Sequence, residues 1–246
     1  MNETLRLLST RKSDRSFTDD PVAEEHLDAI IRAGHKAPSS CNGQHVSVVV
    51  VRDAAKRARL AELAGKQSWV AKAPVFLAVV CDLYKLGKGV ERAGSKIKVQ
   101  DCIEGAIVGS LDAGIAMAHM ALAANSLGLG TVPIGGIRNN PGDVIDLLGL
   151  PPLTYVSVGL CIGHINKPTL GRPRMDIAAF RHDETYKAGV LDDAITAYDE
   201  ELLAFWQNQG RTDGQSWSAS IAPRFNQVER PLLRPVFAKQ GMPFEE

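Results

Sequence analysis

Five residues near the start of the chain, Arg11-Lys12-Ser13-Asp14-Arg15, hold three cations and a hydroxyl. Arginine offers a planar fork of donors, lysine a compact point charge and serine one more donor, which suits a phosphate and the polar edge of a ring. A second cationic stretch, Lys167-Pro168-Thr169-Leu170-Gly171-Arg172-Pro173-Arg174, follows an apolar run. Past the middle, Ile134-Gly135-Gly136-Ile137-Arg138 ends another apolar run in paired glycine, where main chain can approach a flat ligand with no Cβ in the way. Ser39, Ser40, Asn42, Gln44 and Gln67 add hydroxyls and amides able to meet a heterocycle whose edge alternates donor and acceptor. By residue type this is a site for a phosphorylated planar ligand. Each piece also has a plainer reading as a solvated turn or ordinary loop polarity.

Other chemistries find less support. No Gly-x-Gly-x-x-Gly opens a helix after a strand, and no Walker loop is present. Nucleophilic catalysis lacks a Gly-x-Ser-x-Gly elbow, and Cys41 has no histidine partner at a telling spacing. The cysteines, Cys41, Cys81, Cys102 and Cys161, form no Cys-x-x-Cys pair, so neither a metal site nor a disulfide framework is expected. Reduced thiols point to the cytoplasm.

The elements that must position these groups can be read in order. Residues 3–9 form a short amphipathic turn or two, and residues 22–34 carry apolar side chains at helical spacing after Asp19-Asp20-Pro21. The β-branched run 46–51 and the runs 75–81, 131–134 and 155–162 read as strands. Residues 56–65, 140–148 and 192–207 read as helices, and residues 84–100, rich in lysine and glycine, as a mobile or interface loop. Residues 103–127 are apolar around most of the helix, which predicts burial on most sides and a shared interface with a partner subunit. Asp112, His119 and Asn125 interrupt that run, so no membrane span is expected.

At 246 residues, 45% hydrophobic and 23% charged, the chain has the composition of one globular domain. Lysine plus arginine (28) equals aspartate plus glutamate (28), so no global field draws nucleic acid or an anionic membrane. Strands alternating with helices predict an α/β or α+β layered domain.

Several motifs occur in one order: Arg-Lys-Ser-x-Arg-x-Phe (11–17), Ala-Pro-Ser-Ser-x-Asn-x-Gln (37–44), Gln67, Ser-Leu-Gly-Leu-Gly (126–130), Ile-Gly-Gly-Ile-Arg-Asn (134–139), Gly-Leu-Cys-Ile-Gly (159–163) and Arg-Pro-Arg (172–174). In that order they resemble the nitroreductase superfamily, and within it the NADPH-linked oxygen-insensitive nitroreductase and flavin reductase branch. The resemblance spans nearly the whole chain.

It implies an α+β nitroreductase-like fold, a central mixed sheet flanked by helices, and a homodimer with FMN at the subunit interface. Residues 1–246 would be one domain, with 176–246 an extension wrapping the core. Carried over by position, Arg11, Lys12, Ser13, Arg172 and Arg174 would hold the phosphate, and Arg15 the pyrimidine edge of the flavin. Ser39, Ser40, Asn42 and Gln67 would meet ribityl and ring heteroatoms. Ile134, Gly135 and Gly136 would lie against the ring, with Arg138 in the same cofactor-binding turn. The implied activity is two-electron, ping-pong reduction of nitroaromatics, quinones or flavins by NAD(P)H, with no catalytic side chain and no metal. A flavin reductase supplying a monooxygenase, or a flavin-binding protein without turnover, are the alternatives. The branch clamps the NADPH 2′-phosphate with arginines; here Gln209-Gly210-Arg211-Thr212-Asp213-Gly214 offers Arg211 and one acid, with Arg224 further on, so the choice between NADPH and NADH stays open.

Overall fold

Four apolar runs form the sheet of the computed structural model, which describes residues 1–245. They are β1 (Val46–Val51), β2 (Val75–Asp82), β3 (Gly130–Ile134) and β4 (Thr154–Gly163), in the order β1-β2-β4-β3. All pairings are antiparallel, with Val51 opposite Phe76, Asp82 opposite Thr154 and Ile134 opposite Gly159. The described sheet is therefore antiparallel where a mixed one was expected. The connection from β1 to β2, for instance, leaves and re-enters the sheet at one end.

Both faces of the sheet are covered, which is why β2 is a continuous apolar run rather than an alternating one. Phe76, Ala78 and Val80 face α3 (Ala54–Leu63), α4 (Ser68–Lys72) and α7 (Pro141–Leu148), packing with Leu60, Val70 and Val144. Val75, Leu77 and Val79 face α2 (Glu24–His35) and α6 (Ile103–Ser126), packing with Leu27, Ile30, Ala113 and Met120. Each such buried large side chain contributes about 1.5–3 kcal/mol relative to exposure.

Of residues 84–100, expected to be a loop, those up to Arg92 are helical, and only 93–98 are turn and irregular chain before a short 3-10 helix, Val99–Asp101. Asp82 ends β2 and caps α5 (Leu83–Arg92), its carboxylate accepting from the Lys85 N–H at 2.8 Å. Leu83, Leu86 and Val90 recur at helical spacing and Leu83 is fully buried; the glycines at 87 and 89 disguise the pattern. Within the single chain, helix α6 is covered on one side only. Its small residues Gly105, Gly109, Ala113 and Ala116 are buried, whereas Ile103, Ile107 and Leu111 are more than half exposed. By length and composition α6 is the one helix among the described residues that could cross a membrane.

Contacts divide the chain into two units. Residues 1–169 and 232–245 form the first, in which α10 (Leu233–Lys239) returns after a long excursion: Gln240 O accepts from Leu153 N at 2.9 Å. Residues 170–231 form the second, built on α8 (Leu191–Asn208) and α9 (Trp217–Phe225).

Candidate functional site

In the first unit, α1 (Glu3–Thr10) ends at Arg11, and the segment after it is pinned along the sheet. Asp14 N donates to Thr131 O of β3 at 2.9 Å, Thr18 N to His164 O at 2.9 Å, and Asn166 N to Ser16 O at 3.0 Å. Phe17 between these anchors is buried, so the chain direction is fixed and Arg15 is turned outward. Its guanidinium carbon lies 5.6 Å from the centre of the Trp69 ring, and Nη1 donates to Ser13 O at 3.2 Å. Trp69 sits in the first turn of α4, whose N-cap is Gln67.

Gln67 Nε2 donates to Ala64 O at 2.7 Å, which locks the amide across the α3–α4 turn. A Cβ on Gly136 would collide with that carbonyl and with Gln67 Nε2, so only glycine lets the 134–138 turn close on this corner. Arg15, Trp69, Gln67 and Gly136 are thus gathered at one corner. The Ile134 side chain points away into the core, fully buried, and leaves only its main chain for a ligand. Arg138 donates through Nη1 to Ser157 O of β4 and so ties the glycine turn to the sheet. Arg11 is exposed and Lys12 and Ser13 are half-buried; Arg11 and Lys12 line a cleft of about 190 Å³ with Thr10 and Asp14.

Ser39, Ser40 and Asn42 belong to a different corner. They lie on the turn between α2 and β1, which contains a short 3-10 helix, Ser40–Asn42. Ser40 and Asn42 are exposed, and Ser39 lines a cavity of about 290 Å³ with Gln44, Val46, Lys85 and Asp112. This cavity shares no residue with the Arg11 cleft.

In the second unit, Arg172 and Arg211 both stack on Trp206, with guanidinium carbons 4.9 Å and 4.5 Å from the ring centre. Asp213 engages the Arg211 fork with both oxygens at 3.1 Å, which holds its carboxyl below the usual range. Arg224 pairs with Glu229 at 2.5 Å, and Arg174 is exposed beside Met175 and Phe180.

The first-unit residues fit FMN by donor chemistry. A guanidinium braced on an indole, an immobilised amide and main-chain amides of a glycine turn suit a ring edge, and nearby cations suit a phosphate. The buried Trp69 Nε1 at this corner has no hydrogen-bond partner among the described residues. Sequence reasoning missed Trp69, the buried His45–Asp112 pair and the Asp213 lock on Arg211. An aromatic two positions after Gln67 was the only signal for the first.

Residues 8–164 match the model of the nitroreductase family, and residues 172–245 match that of the nitroreductase family, C-terminal domain. The chain is 41% identical over 251 residues to FMN reductase [NAD(P)H] of Bacillus subtilis (strain 168), covering 100% of both chains. It is 35% identical over 246 residues to the NADPH-flavin oxidoreductase of Vibrio harveyi, covering 98% of this chain and 99% of that one. Among solved structures, B. megaterium NfrA2 superposes with a TM-score of 0.97 at 38% identity, covering 100% of both chains.

Proposed function

The chain belongs to the nitroreductase family, and from that premise we propose that it is an FMN-dependent NAD(P)H oxidoreductase reducing nitroaromatics, quinones or flavins. The observation that carries this reading is the gathering of Arg15, Gln67 and Gly136 at one corner of the first unit. When bound, FMN supplies two-electron chemistry, accepting hydride from a reduced nicotinamide and delivering it to an acceptor.

The residues of this chain bind and orient. Arg15, steadied by Trp69, presents positive charge to the pyrimidine edge, where negative charge is stabilised. Gln67 gives one of its two amide N–H groups to Ala64 O, which leaves Oε1 as an acceptor and the second N–H as a donor. Gly135 and Gly136 expose main chain to the ring, and Ile134 contributes only backbone. Arg138 holds that turn to β4. Arg11, Lys12 and Ser13 serve the phosphate, a role also proposed for Arg172 and Arg174 on the sequence pattern. Arg211, stacked on Trp206, is proposed for the nicotinamide nucleotide, with Asp213 competing for its fork. No side chain is assigned a proton transfer.

A homodimer is part of the proposal. Ile103, Ile107 and Leu111 form an exposed apolar stripe at four-residue spacing on α6, with Leu5 and Leu8 also exposed on α1. A second copy covering it would supply Ser39, Ser40 and Asn42 to the flavin held by the first. A cytoplasmic location is proposed on the four free thiols. Because FMN reductase and NADPH-flavin oxidoreductase are the names of two relatives, free flavin is kept among the acceptors. Purified protein should absorb as a flavin, bleach with NADPH or NADH and recover with a quinone. A colourless preparation that takes up no added FMN overturns the reading.

A further inference from the structure

Asp112 stands in the middle of α6 and His45 at the head of β1, and each is 3% exposed. Neither stands out by its sequence context. His45 Nε2 lies 2.9 Å from Asp112 Oδ2, close enough for an ion pair, though not aligned for a hydrogen bond. The same Oδ2 accepts the Ser40 N–H at 2.9 Å. On its other edge the imidazole abuts Gly43, where a Cβ would lie 2.7 Å from Nδ1.

The turn these two residues underpin would not hold its shape unaided. Cys41, Asn42 and Gln44 all have positive φ, at 50°, 53° and 49°, a region that L side chains other than asparagine seldom adopt. Local bonds close the turn on itself: Asn42 N to Ser39 O at 3.0 Å, Gly43 N to Ser40 O at 2.8 Å and Gln44 N to Ser39 Oγ at 3.1 Å. The Ser40 bond to Asp112 differs from these in kind, because it ties the turn to a distant element, the middle of α6. Strained backbone persists where surroundings over-determine it.

We infer that the buried Asp112–His45 pair is a positioning device: it fixes the Ser40 and Gly43 ends of the turn and thereby presents Ser39, Ser40 and Asn42 to the flavin. The inference rests on the flavin reading above for its ligand, but not for its mechanics. Asp112 touches no ligand in this scheme; it acts through the Ser40 N–H, and His45 acts by filling the space beneath Gly43.

Three variants of the purified full-length protein, Asp112→Ala, Asp112→Asn and Gly43→Ala, test it with two readouts. One is the FMN dissociation constant from flavin fluorescence released on serial dilution. The other is amide hydrogen exchange in peptides covering residues 37–46, with β2 as the internal reference. Asp112→Ala should raise the FMN dissociation constant tenfold or more and speed exchange in 37–46 with β2 unchanged. Asp112→Asn keeps an oxygen for the Ser40 N–H and should stay within threefold of wild type on both readouts. Gly43 has φ −67°, which alanine tolerates, so Gly43→Ala acts through contacts alone: its methyl would meet His45 Nδ1 at 2.7 Å and, less closely, the Ser40 carbonyl at 3.1 Å, and it should weaken FMN threefold or more. It carries the test if Asp112→Ala fails to fold. Unchanged exchange and affinity in Asp112→Ala or Gly43→Ala overturn the inference, as does an asparagine variant as weak as alanine. Wild-type protein that binds no FMN overturns the flavin reading instead, and the exchange measurements still decide whether Asp112 holds the turn.

Discussion

The Arg15 guanidinium lies over the face of Trp69, 5.6 Å from the ring centre, and brings the first cationic segment to the helix that begins after Gln67. Two stretches more than fifty residues apart thereby share one corner. Arginine's planar fork keeps its hydrogen-bonding edge when its face is occupied by an aromatic ring, which lysine cannot do.

Arg15→Lys should therefore behave more like Arg15→Ala than like wild type. Loss of charge-assisted hydrogen bonds of about 1.5–3 kcal/mol predicts FMN affinity weaker by roughly 10- to 100-fold for alanine. Flavin fluorescence titration reads this directly, and full affinity in Arg15→Lys contradicts the stacked-fork geometry.

Gly136→Ala has no room to be accommodated locally, because the new methyl meets the Ala64 carbonyl and Gln67 Nε2. Overpacking of this kind costs about 1–3 kcal/mol. A lowered unfolding midpoint together with weaker FMN binding is expected. Gly89→Ala, whose methyl would meet nothing within 4 Å, is the control and should leave FMN binding unchanged.

The four cysteines should separate by exposure. Burial pushes the Cys81 thiol up to about 12, and burial raises Cys161 as well, whereas Cys41 is exposed. The thiolate is the nucleophile, so iodoacetamide at pH 8 should modify Cys41 first and spare Cys81 and Cys161 until the chain unfolds. Mass spectrometry of the native digest checks the order.

In the second unit, Asp199 Oδ1 accepts the Ser218 N–H at 2.9 Å in the first turn of α9, and that bond holds its carboxyl below the usual range. A carboxyl depressed in the folded state adds stability that is complete above its unfolded value and fades as pH falls through the folded one. Asp199→Ala should cost about 1 kcal/mol at pH 7, as for a lost helix cap. The gap between variant and wild-type unfolding curves should narrow below about pH 4, and a gap independent of pH contradicts the assignment.

All four strands were legible because runs such as Val46–Val51, half-buried along most of an edge strand, and Val75–Asp82, buried along nearly all its length, are apolar and rich in β-branched residues. Helix α5 was not, since Gly87 and Gly89 break the look of a helix whose apolar positions, Leu83, Leu86 and Val90, keep its spacing. Residue Asp82 serves as strand end and helix cap at once, so no loop marks the boundary. The exposed stripe on α6 was hidden by composition: glycine and alanine, with Met120, make up most of the buried side, and Ile103, Ile107 and Leu111 face out. At the site, the Arg11–Arg15 cluster and the glycine pair announce themselves locally. The Asp112–Ser40 bond joins residues 72 apart and leaves no periodic trace in either segment.

The central claim is that one corner, built by Arg15, Gln67 and Gly136, holds FMN for hydride transfer from a nicotinamide nucleotide. Its most direct test is the visible spectrum of purified protein saturated with FMN, freed of unbound flavin and mixed anaerobically with NADPH or NADH. The account predicts about one FMN retained per chain, whose absorbance bleaches with either nucleotide and returns on adding a quinone. Protein that retains no flavin after saturation, or retained flavin that neither nucleotide reduces, contradicts it.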